Sequence, residues 1–368
     1  MTVARHAPVR VPPVDLAPFG LALGHATDAD GATGCTVVRG IDRPRRAAHA
    51  LLGRASGSRE LAAASPEHLV GRVDAVLLTG GSAYGLDAAA GVMRWMEERG
   101  RGFPVGGPAG AGVVPIVPAA VLFDLAPLGR FDRRPTPAMA YAACEGASPH
   151  VTEQGSVGAG AGLTVGKALG PREAMKGGVG VAALWDAGWD AGGDAGPETA
   201  GAGDVGVAAV AAVNAFGDVR DASGRVLAGA RRPDGTFAGD GGPAGVAPAP
   251  NGPPNVTSHD LPASPFANTT LCVVAASRPL GRVALGQLAR AAAAALYRRI
   301  TPCGTTFDGD VIFALCPDEP PPVDESPADL LRLELLAVRA LEEAVERAVR
   351  FATGRDGVPG LADPTPFR

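Results

Sequence analysis

The sequence predicts an α/β fold, and three observations support this prediction. An apolar run closed by glycines, GRVDAVLLTGG at 71–81, precedes a segment whose apolar residues recur at helical spacing. Further on, DVGVAAVAAVNAFGDV at 204–219 is continuously apolar, as a fully buried strand is. The last hundred or so residues alternate strand and helix patterns. We therefore expect a sheet-rich, tightly packed core.

The elements of the first part of the chain follow from these patterns. After the strand at 71–79 and its glycine turn, Leu86, Val92, Met93 and Met96 share one face of a predicted helix. The segments VGAGAGLTVGKALG and KGGVGVAALWDAG mix glycine with β-branched residues, and they lead to the buried strand that ends near Asn214.

Two low-complexity stretches interrupt the pattern. DAGWDAGGDAGPETAGAGD at 186–204 predicts a surface insertion, and 233–267 is a linker too rich in Pro and Gly to fold alone. After the linker, the patterns predict a compact α/β piece of four elements: a strand at 269–277, a helix at 281–300, a strand at 310–316 and a long closing helix at 326–352.

Composition narrows the classes of partner and the cellular location. The formal charge is −5, and no basic cluster is present, which argues against nucleic acid and favours small molecules or peptides. The first twenty residues lack the pattern of a signal peptide, and the apolar runs are too short or too Gly-broken to cross a membrane. We therefore expect a cytoplasmic protein.

Cysteine and histidine spacing predicts neither a disulfide framework nor a metal site. The five cysteines form no C-x-x-C pair and lie in apolar stretches, where free Cys behaves as a small hydrophobe. The six histidines show no paired ligand spacing. We expect no metal and no cofactor.

Lysine usage is unusual, because only Lys167 and Lys176 occur among 33 basic residues. Arg stays protonated, whereas the pKa of Lys falls readily on burial. The two lysines are either a site feature or a tight packing spot, and composition alone leaves both interpretations open.

The triplet Asn268-Thr269-Thr270 at the end of the linker allows three interpretations. It fits the N-glycosylation sequon, which requires secretion, and it also fits a turn followed by ordinary β-formers. The third interpretation is chemical. A Thr at a newly cut N-terminus has its own α-amino group as an adjacent base, with a pKa of about 7.7–8.0.

A set of strings occurs in a fixed order between about residue 20 and about residue 320: GHATDADGATGCTVV, DAVLLTGGSAYGLDAAAGV, VPIVPAAVLFDL, GSVGAGAGLTVGK, KGGVG, VAAVNAFGDV, NTTLCVVAAS and FDGDVIFAL. By these strings and their order, the chain resembles the DmpA/NylC-type family of N-terminal-nucleophile amide hydrolases. This family includes DmpA-like aminopeptidases, β-peptidyl aminopeptidases and nylon-oligomer hydrolases.

This resemblance implies a four-layer αββα sandwich that cuts itself into an α-chain (1–268) and a β-chain (269–368), which together form one domain. It further implies hydrolysis of small peptides, amino-acid amides or 6-aminohexanoate (nylon) oligomers through an acyl-enzyme, without a cofactor. The processed heterodimers would assemble into homo-oligomers, in this family tetramers.

Site residues are carried over from the family position by position. The cut would fall between Asn268 and Thr269, with Thr269 as the nucleophile. Asn214 matches the oxyanion-stabilising Asn, and Lys167 matches the active-site Lys. Asp308 and Asp310 in FDGD match the acidic pair. In an extended segment residues two apart point to the same face, so both carboxylates are expected to converge on one site.

Phe123 and Tyr84 are the candidate substrate contacts. Phe123 stands where the nylon-oligomer hydrolases carry an active-site Tyr, so a hydroxyl is missing there. The β-peptidyl aminopeptidases have Ser and Glu at the places of Asp308 and Asp310, which sets this chain nearer the nylon-hydrolase branch. In GGSAYG, a helix cap by Ser82 is favoured over substrate contact by Tyr84.

Lys176 is expected to have a structural role at a Gly-rich turn. Two other functions remain open: an acyltransferase of the ornithine acetyltransferase type, and an uncut binding protein without catalytic activity.

Overall fold

The computed structural model describes residues 10–107, 110–186, 194–195, 205–239, 268–322 and 326–364. The predicted insertion, apart from Asp186 and the backbone at 194–195, and the greater part of the predicted linker lie outside these residues.

Four α-helices and twenty-one strands, many of them short, are found in the described residues. The helices are α1 (Ala89–Glu97), α2 (Pro137–Glu145), α3 (Arg282–Arg299) and α4 (Pro327–Arg350). The strands, in chain order, are β1 (Val14–Asp15), β2 (Leu21–Asp28), β3 (Thr33–Gly40), β4 (Arg45–Leu51), β5 (Ser58–Arg59), β6 (Arg72–Val73), β7 (Ala75–Thr79), β8 (Phe103–Val105), β9 (Gly112–Val114), β10 (Ala119–Val121), β11 (His150–Val151), β12 (Thr164–Val165), β13 (Met175–Lys176), β14 (Gly178–Asp186), β15 (Asp194–Ala195), β16 (Val205–Asn214), β17 (Asp218–Arg220), β18 (Val226–Ala228), β19 (Thr269–Ala276), β20 (Ile300–Thr301) and β21 (Val311–Cys316).

Two large sheets form the framework. One has the strand order β2-β3-β7-β10-β5, and the other has the order β15-β14-β16-β19-β21-β4-β6. In the second sheet β16 and β19 are antiparallel, while β19 and β21 are parallel. The buried-strand patterns at 204–219, 269–277 and 310–316 therefore form three adjacent strands near its centre.

Three layers of apolar contact show how the elements stack. One core cluster joins the two sheets, with Leu78 from the first and Leu271 and Phe313 from the second. A second cluster packs α3 and α4 on the outer face of the seven-stranded sheet, and a third packs α1 and α2 on the outer face of the five-stranded sheet. The order of layers is αββα, which confirms the predicted four-layer sandwich.

Small residues allow α4 to lie close to its sheet. A Cβ added to Gly180 of β14 would lie 2.0 Å from the Ala344 carbonyl oxygen of α4, so only glycine fits there. This close packing explains why the sequence of β14 mixes glycine with β-branched residues. No helix in the described parts of the chain is long and apolar enough to span a membrane.

One local prediction is wrong. Ser82 does not cap a helix: residues Ser82–Ala88 form a 3₁₀ segment ahead of α1, and its N-cap position is Gly81, where no side chain makes a capping hydrogen bond. Ser82 itself has φ of +52°, and its backbone N–H donates to the Leu122 carbonyl oxygen. The turn is held by backbone contacts and by the left-handed conformation of Gly81 and Ser82.

Candidate active site

The ends of three adjacent strands bring the predicted site residues together. Asn214, the last residue of β16, pairs directly with Thr269, the first residue of β19. On the other side of Thr269, the parallel pairing of Leu271 with Val311 and the bridge between Asn268 and Asp308 continue β21 backwards along the predicted FDGD motif. Residues from distant parts of the sequence thus meet at one end of the central strands of the sheet.

Thr269 and the bond before it are buried. The exposed fraction is 5% for Thr269 and 3% for Asn268. The Thr269 hydroxyl donates to the Asn268 carbonyl oxygen at 2.5 Å. The backbone N–H of Gly309 donates to the same oxygen at 3.2 Å. The hydroxyl predicted to cut the chain therefore lies against the carbonyl group that it would attack.

Asn214 is held in one orientation by three groups. Its side-chain oxygen accepts from the Thr164 N–H at 3.0 Å, and its side-chain nitrogen donates to the Phe123 carbonyl oxygen at 2.9 Å. Lys167 Nζ also donates to the Asn214 side-chain oxygen, at 3.0 Å. Residues opposite each other in antiparallel strands have Cβ atoms about 4.5–5.5 Å apart, so the Cβ atoms of Asn214 and Thr269 are neighbours.

Lys167 also contacts the backbone of Asn214, because the Lys167 Nζ donates to the Asn214 carbonyl oxygen at 3.1 Å. Removal of the amine from water lowers the pKa of Lys167 from 10.5 to about 7, and the nearby charge of Asp308 partly opposes this shift. A large fraction of Lys167 is therefore neutral near pH 7, and a neutral amine accepts a proton.

Asp310 is buried next to Thr270. Its carboxylate accepts from the Thr270 N–H at 2.5 Å and from the Cys303 thiol at 3.4 Å. Burial raises the pKa of Asp310 to about 7, and the charge of Asp308 adds to the effect. Asp308 accepts from the Thr305 N–H at 2.7 Å.

The two faces of the seven-stranded sheet separate the hydroxyl of Thr269 from Asp310. Leu271 and Val311 pack between the sheets, whereas Cys272 and Ile312 pack under the helices α3 and α4. Side chains alternate along a strand, so Thr269 lies on the face of Leu271, and Asp310 lies on the face of Ile312. Asp310 consequently supports the start of β19 through the backbone of Thr270.

The surroundings of Cys303 differ from the prediction that all five cysteines lie in apolar surroundings. All five cysteines are free thiols, and four of them are buried. Cys303 is only half-buried, and it lies against a carboxylate instead of in an apolar pocket. Burial raises the pKa of its thiol, so the sulfur stays protonated and acts as a hydrogen-bond donor to Asp310. No motif in the sequence marks this contact.

The two predicted substrate residues have different surroundings. Phe123 is half-buried, and its backbone carbonyl orients Asn214. Tyr84 is 57% exposed, and the Arg134 guanidinium stacks on its ring at 3.8 Å. Both remain predictions as substrate contacts.

Lys176 has the structural role expected from the sequence. Its ammonium group is buried and donates to the carbonyl oxygens of Gly160, Ala161 and Leu163 at 3.3, 2.9 and 2.9 Å. These contacts fix the turn that precedes Thr164, whose N–H orients the predicted oxyanion residue. Burial lowers the pKa of Lys176 to about 7.

A buried carboxyl supports the turn at the end of β7. Asp124 accepts from the Thr33 hydroxyl at 2.6 Å and from the Gly81 N–H at 2.7 Å. Burial raises its pKa to about 6. Asp124 follows Phe123, so this network also fixes the backbone that holds the side chain of Asn214.

Comparison with known proteins identifies the class. The sequence profile of Peptidase family S58 matches residues 18–362. The chain therefore belongs to this peptidase family, which confirms the predicted resemblance and the prediction of an amide-bond hydrolase.

Named relatives share this class. An uncharacterized aminopeptidase of Mycobacterium tuberculosis is 38% identical over 330 residues, 85% of each chain. A similar aminopeptidase of Mycobacterium leprae is 39% identical over 272 residues, which cover 72% of this chain and 65% of the relative. A 6-aminohexanoate-oligomer endohydrolase of Agromyces is 28% identical over 327 residues, 85% of this chain and 78% of the enzyme.

Solved structures share the fold. The L-aminopeptidase D-Ala-esterase/amidase of Ochrobactrum anthropi, described as a variant of the Ntn hydrolase fold, aligns with a TM-score of 0.64 and 20% identity. The alignment covers 98% of this chain and 91% of that one. A Burkholderia β-aminopeptidase aligns with a TM-score of 0.62 and 20% identity, over 97% of this chain and 94% of the other.

Proposed function

We propose that this protein is a self-processing N-terminal-threonine amide hydrolase that cuts its own chain between Asn268 and Thr269. The contact of the Thr269 hydroxyl with the Asn268 carbonyl, at the first residue of a buried central strand, carries the proposal. The strand holds the nucleophile in place.

The self-cutting step is an acyl shift from nitrogen to oxygen. The Thr269 hydroxyl oxygen attacks the Asn268 carbonyl carbon and loses its proton. The neutral amine of Lys167, which contacts the residue opposite Thr269, accepts this proton and passes it to the Thr269 nitrogen. The C–N bond then breaks and leaves an ester. Water hydrolyses the ester to give the Asn268 carboxylate and a free Thr269.

The mature site uses the same groups on a substrate amide. The new α-amino group of Thr269, with a pKa of about 7.7–8.0, activates the hydroxyl. The side-chain nitrogen of Asn214, which donates to the Phe123 carbonyl oxygen, stabilises the oxyanion of the tetrahedral intermediate. Asp308, whose charge acts on Lys167, orients the cationic groups. Asp310 fixes the start of β19.

The substrates that we propose are small peptides, amino-acid amides and 6-aminohexanoate oligomers, because the relatives include aminopeptidases and an oligomer endohydrolase. The reaction requires no cofactor. The mature protein consists of chains 1–268 and 269–368, associates into homo-oligomers of these heterodimers, and acts in the cytoplasm.

Intact mass of the denatured protein tests the proposal. Self-processing converts the 36.8 kDa chain into two fragments of roughly 27 and 10 kDa, in proportion to their lengths. N-terminal sequencing of the smaller fragment should begin Thr-Thr-Leu. A folded protein that remains a single 36.8 kDa species would sink the proposal.

Two substitutions at Thr269 distinguish the role of its hydroxyl as a nucleophile from its role as the first residue of β19. Thr269→Ala should give a folded, uncut chain without hydrolase activity, because the hydroxyl is lost. Thr269→Ser retains a hydroxyl and should still be cut. Cutting of the Ala variant at the normal bond would show that another group is the nucleophile.

A further inference from the structure

A backbone group near Thr269 has a role that the sequence did not indicate. The N–H of Gly309 points at the oxygen of the carbonyl that would be attacked, 3.2 Å away. The pairing of β19 with β21 supplies this geometry, since the bridge of Asn268 with Asp308 continues that ladder three residues beyond its last pair, Leu271 with Val311. The donor is therefore fixed by the sheet before any reaction occurs.

We propose that the backbone N–H of Gly309 is the oxyanion donor for self-cleavage. This inference rests on the proposed function. When the Thr269 oxygen bonds to the Asn268 carbon, the π electrons of the carbonyl move onto its oxygen, and that oxygen already faces the Gly309 N–H. A donor aimed in advance at the developing charge needs no reorganisation during the reaction.

Burial strengthens this donor. Asn268, Thr269 and Asp308 are 3%, 5% and 3% exposed, so bulk water has little access to the scissile carbonyl. An electrostatic contact gains strength where water is excluded.

The close approach of residue 309 to Thr269 also explains why this residue is a glycine. A Cβ built on Gly309 would lie 2.8 Å from the Thr269 hydroxyl oxygen and 2.8 Å from the Ala55 carbonyl oxygen. Glycine thus lets the donor strand approach the nucleophile. A glycine inside an extended segment often marks such a close approach.

Replacement of one backbone amide by an ester tests the role directly. Cell-free translation with glycolic acid at position 309 replaces the N–H by oxygen and adds no side chain. We expect self-cleavage of the full chain to slow by about 10²–10³-fold, the usual loss for one oxyanion donor. The fragments are followed by mass spectrometry over time.

The matched control carries phenyllactic acid at Phe313. This residue lies in β21 between β19 and β4, so the control also loses one backbone donor of the central sheet, away from the scissile bond. It should be cut at nearly the normal rate. Equal slowing of both esters would assign the effect to sheet stability and overturn the inference.

The remaining outcomes separate this inference from the proposed function. Cutting of the 309 ester at the unmodified rate would overturn the role of Gly309 and leave self-processing intact. An unmodified chain that is never cut would overturn both. Gly309→Ala keeps the N–H but places a methyl group against the Thr269 hydroxyl, and it should yield a folded, uncut chain. Normal cutting of this variant would contradict the close approach.

Discussion

Asn214 offers a test in which catalysis and stability can be separated. Removal of its side chain by Asn214→Ala deprives three groups of a partner: the Thr164 N–H, the Phe123 carbonyl and the Lys167 amine. The Lys167 amine keeps the Asn214 backbone carbonyl as a partner, so two buried groups are left unsatisfied; at about 1–3 kcal/mol each, the cost is about 2–6 kcal/mol. This is comparable with the whole stability of many proteins, about 5–15 kcal/mol. Loss of activity in this variant would therefore report unfolding as much as chemistry.

Asn214→Asp is the sharper perturbation. One carboxylate oxygen still accepts from Thr164 and Lys167, while the donating nitrogen is replaced by oxygen. We expect a folded protein whose Lys167 pKa rises, because a negative charge now lies beside the amine. We expect kcat to fall by about 10²–10³-fold at pH 7, since the oxyanion loses its side-chain donor.

The assay combines kcat on a small amide with thermal unfolding. Gln154→Glu is the matched control, because the buried Gln154 amide also accepts from one backbone N–H, that of Val181, and faces one carbonyl, that of Pro12, away from the site. The control should lose stability without a specific loss of kcat. An Asn214→Asp protein that unfolds at the normal temperature and keeps its kcat would refute the oxyanion role.

Three further predictions concern ionisable groups. With a Lys167 pKa of about 7, self-cleavage should accelerate from pH 6 to 8 as the amine becomes neutral; Lys167→Arg, which stays charged, should abolish cutting, and a normal rate would show that only charge matters. For Lys176, the native state binds fewer protons than the unfolded state between pH 7 and 10.5, so stability rises with pH there. Lys176→Met should reduce this slope by up to about 1.4 kcal/mol per pH unit in chemical denaturation, and an unchanged slope would contradict the burial of its amine. Cys303→Ala removes a hydrogen bond from the Asp310 carboxylate and should raise the pKa of Asp310, whereas Cys303→Ser should lower it; identical pH–rate profiles would exclude an influence of the thiol.

The sequence allowed prediction of most of the fold because its strongest signals are local. The continuous apolar run at 204–219 is buried along most of its length and forms β16 at Val205–Asn214. The apolar spacing in 281–300 and 326–352 likewise predicted α3 and α4 to within two residues at each end. A strand that is buried on both faces of its sheet gives a continuous apolar run, and a helix that is buried along one stripe gives apolar residues at helical spacing. A single sequence shows both patterns.

The site was predicted less completely, because its contacts depend on strand register. FDGD suggested two carboxylates on one face, but the alternation along β19 and β21 places the Thr269 hydroxyl on the opposite face from Asp310. The residue next to the nucleophile is Gly309, whose backbone N–H donates to the Asn268 carbonyl oxygen. The contact of Cys303 with Asp310 depends on the loop before β21, and no local pattern encodes it.

The two lysines show why a shifted pKa alone does not identify a catalytic group. Burial lowers the pKa of both amines to about 7. Lys176 donates only to backbone carbonyls, which exchange no proton, and its contacts stabilise a turn. Lys167 contacts Asn214, the residue that faces Thr269, so a proton released there has an acceptor nearby. The contacts, and not the pKa, assign one lysine to structure and the other to the proposed chemistry.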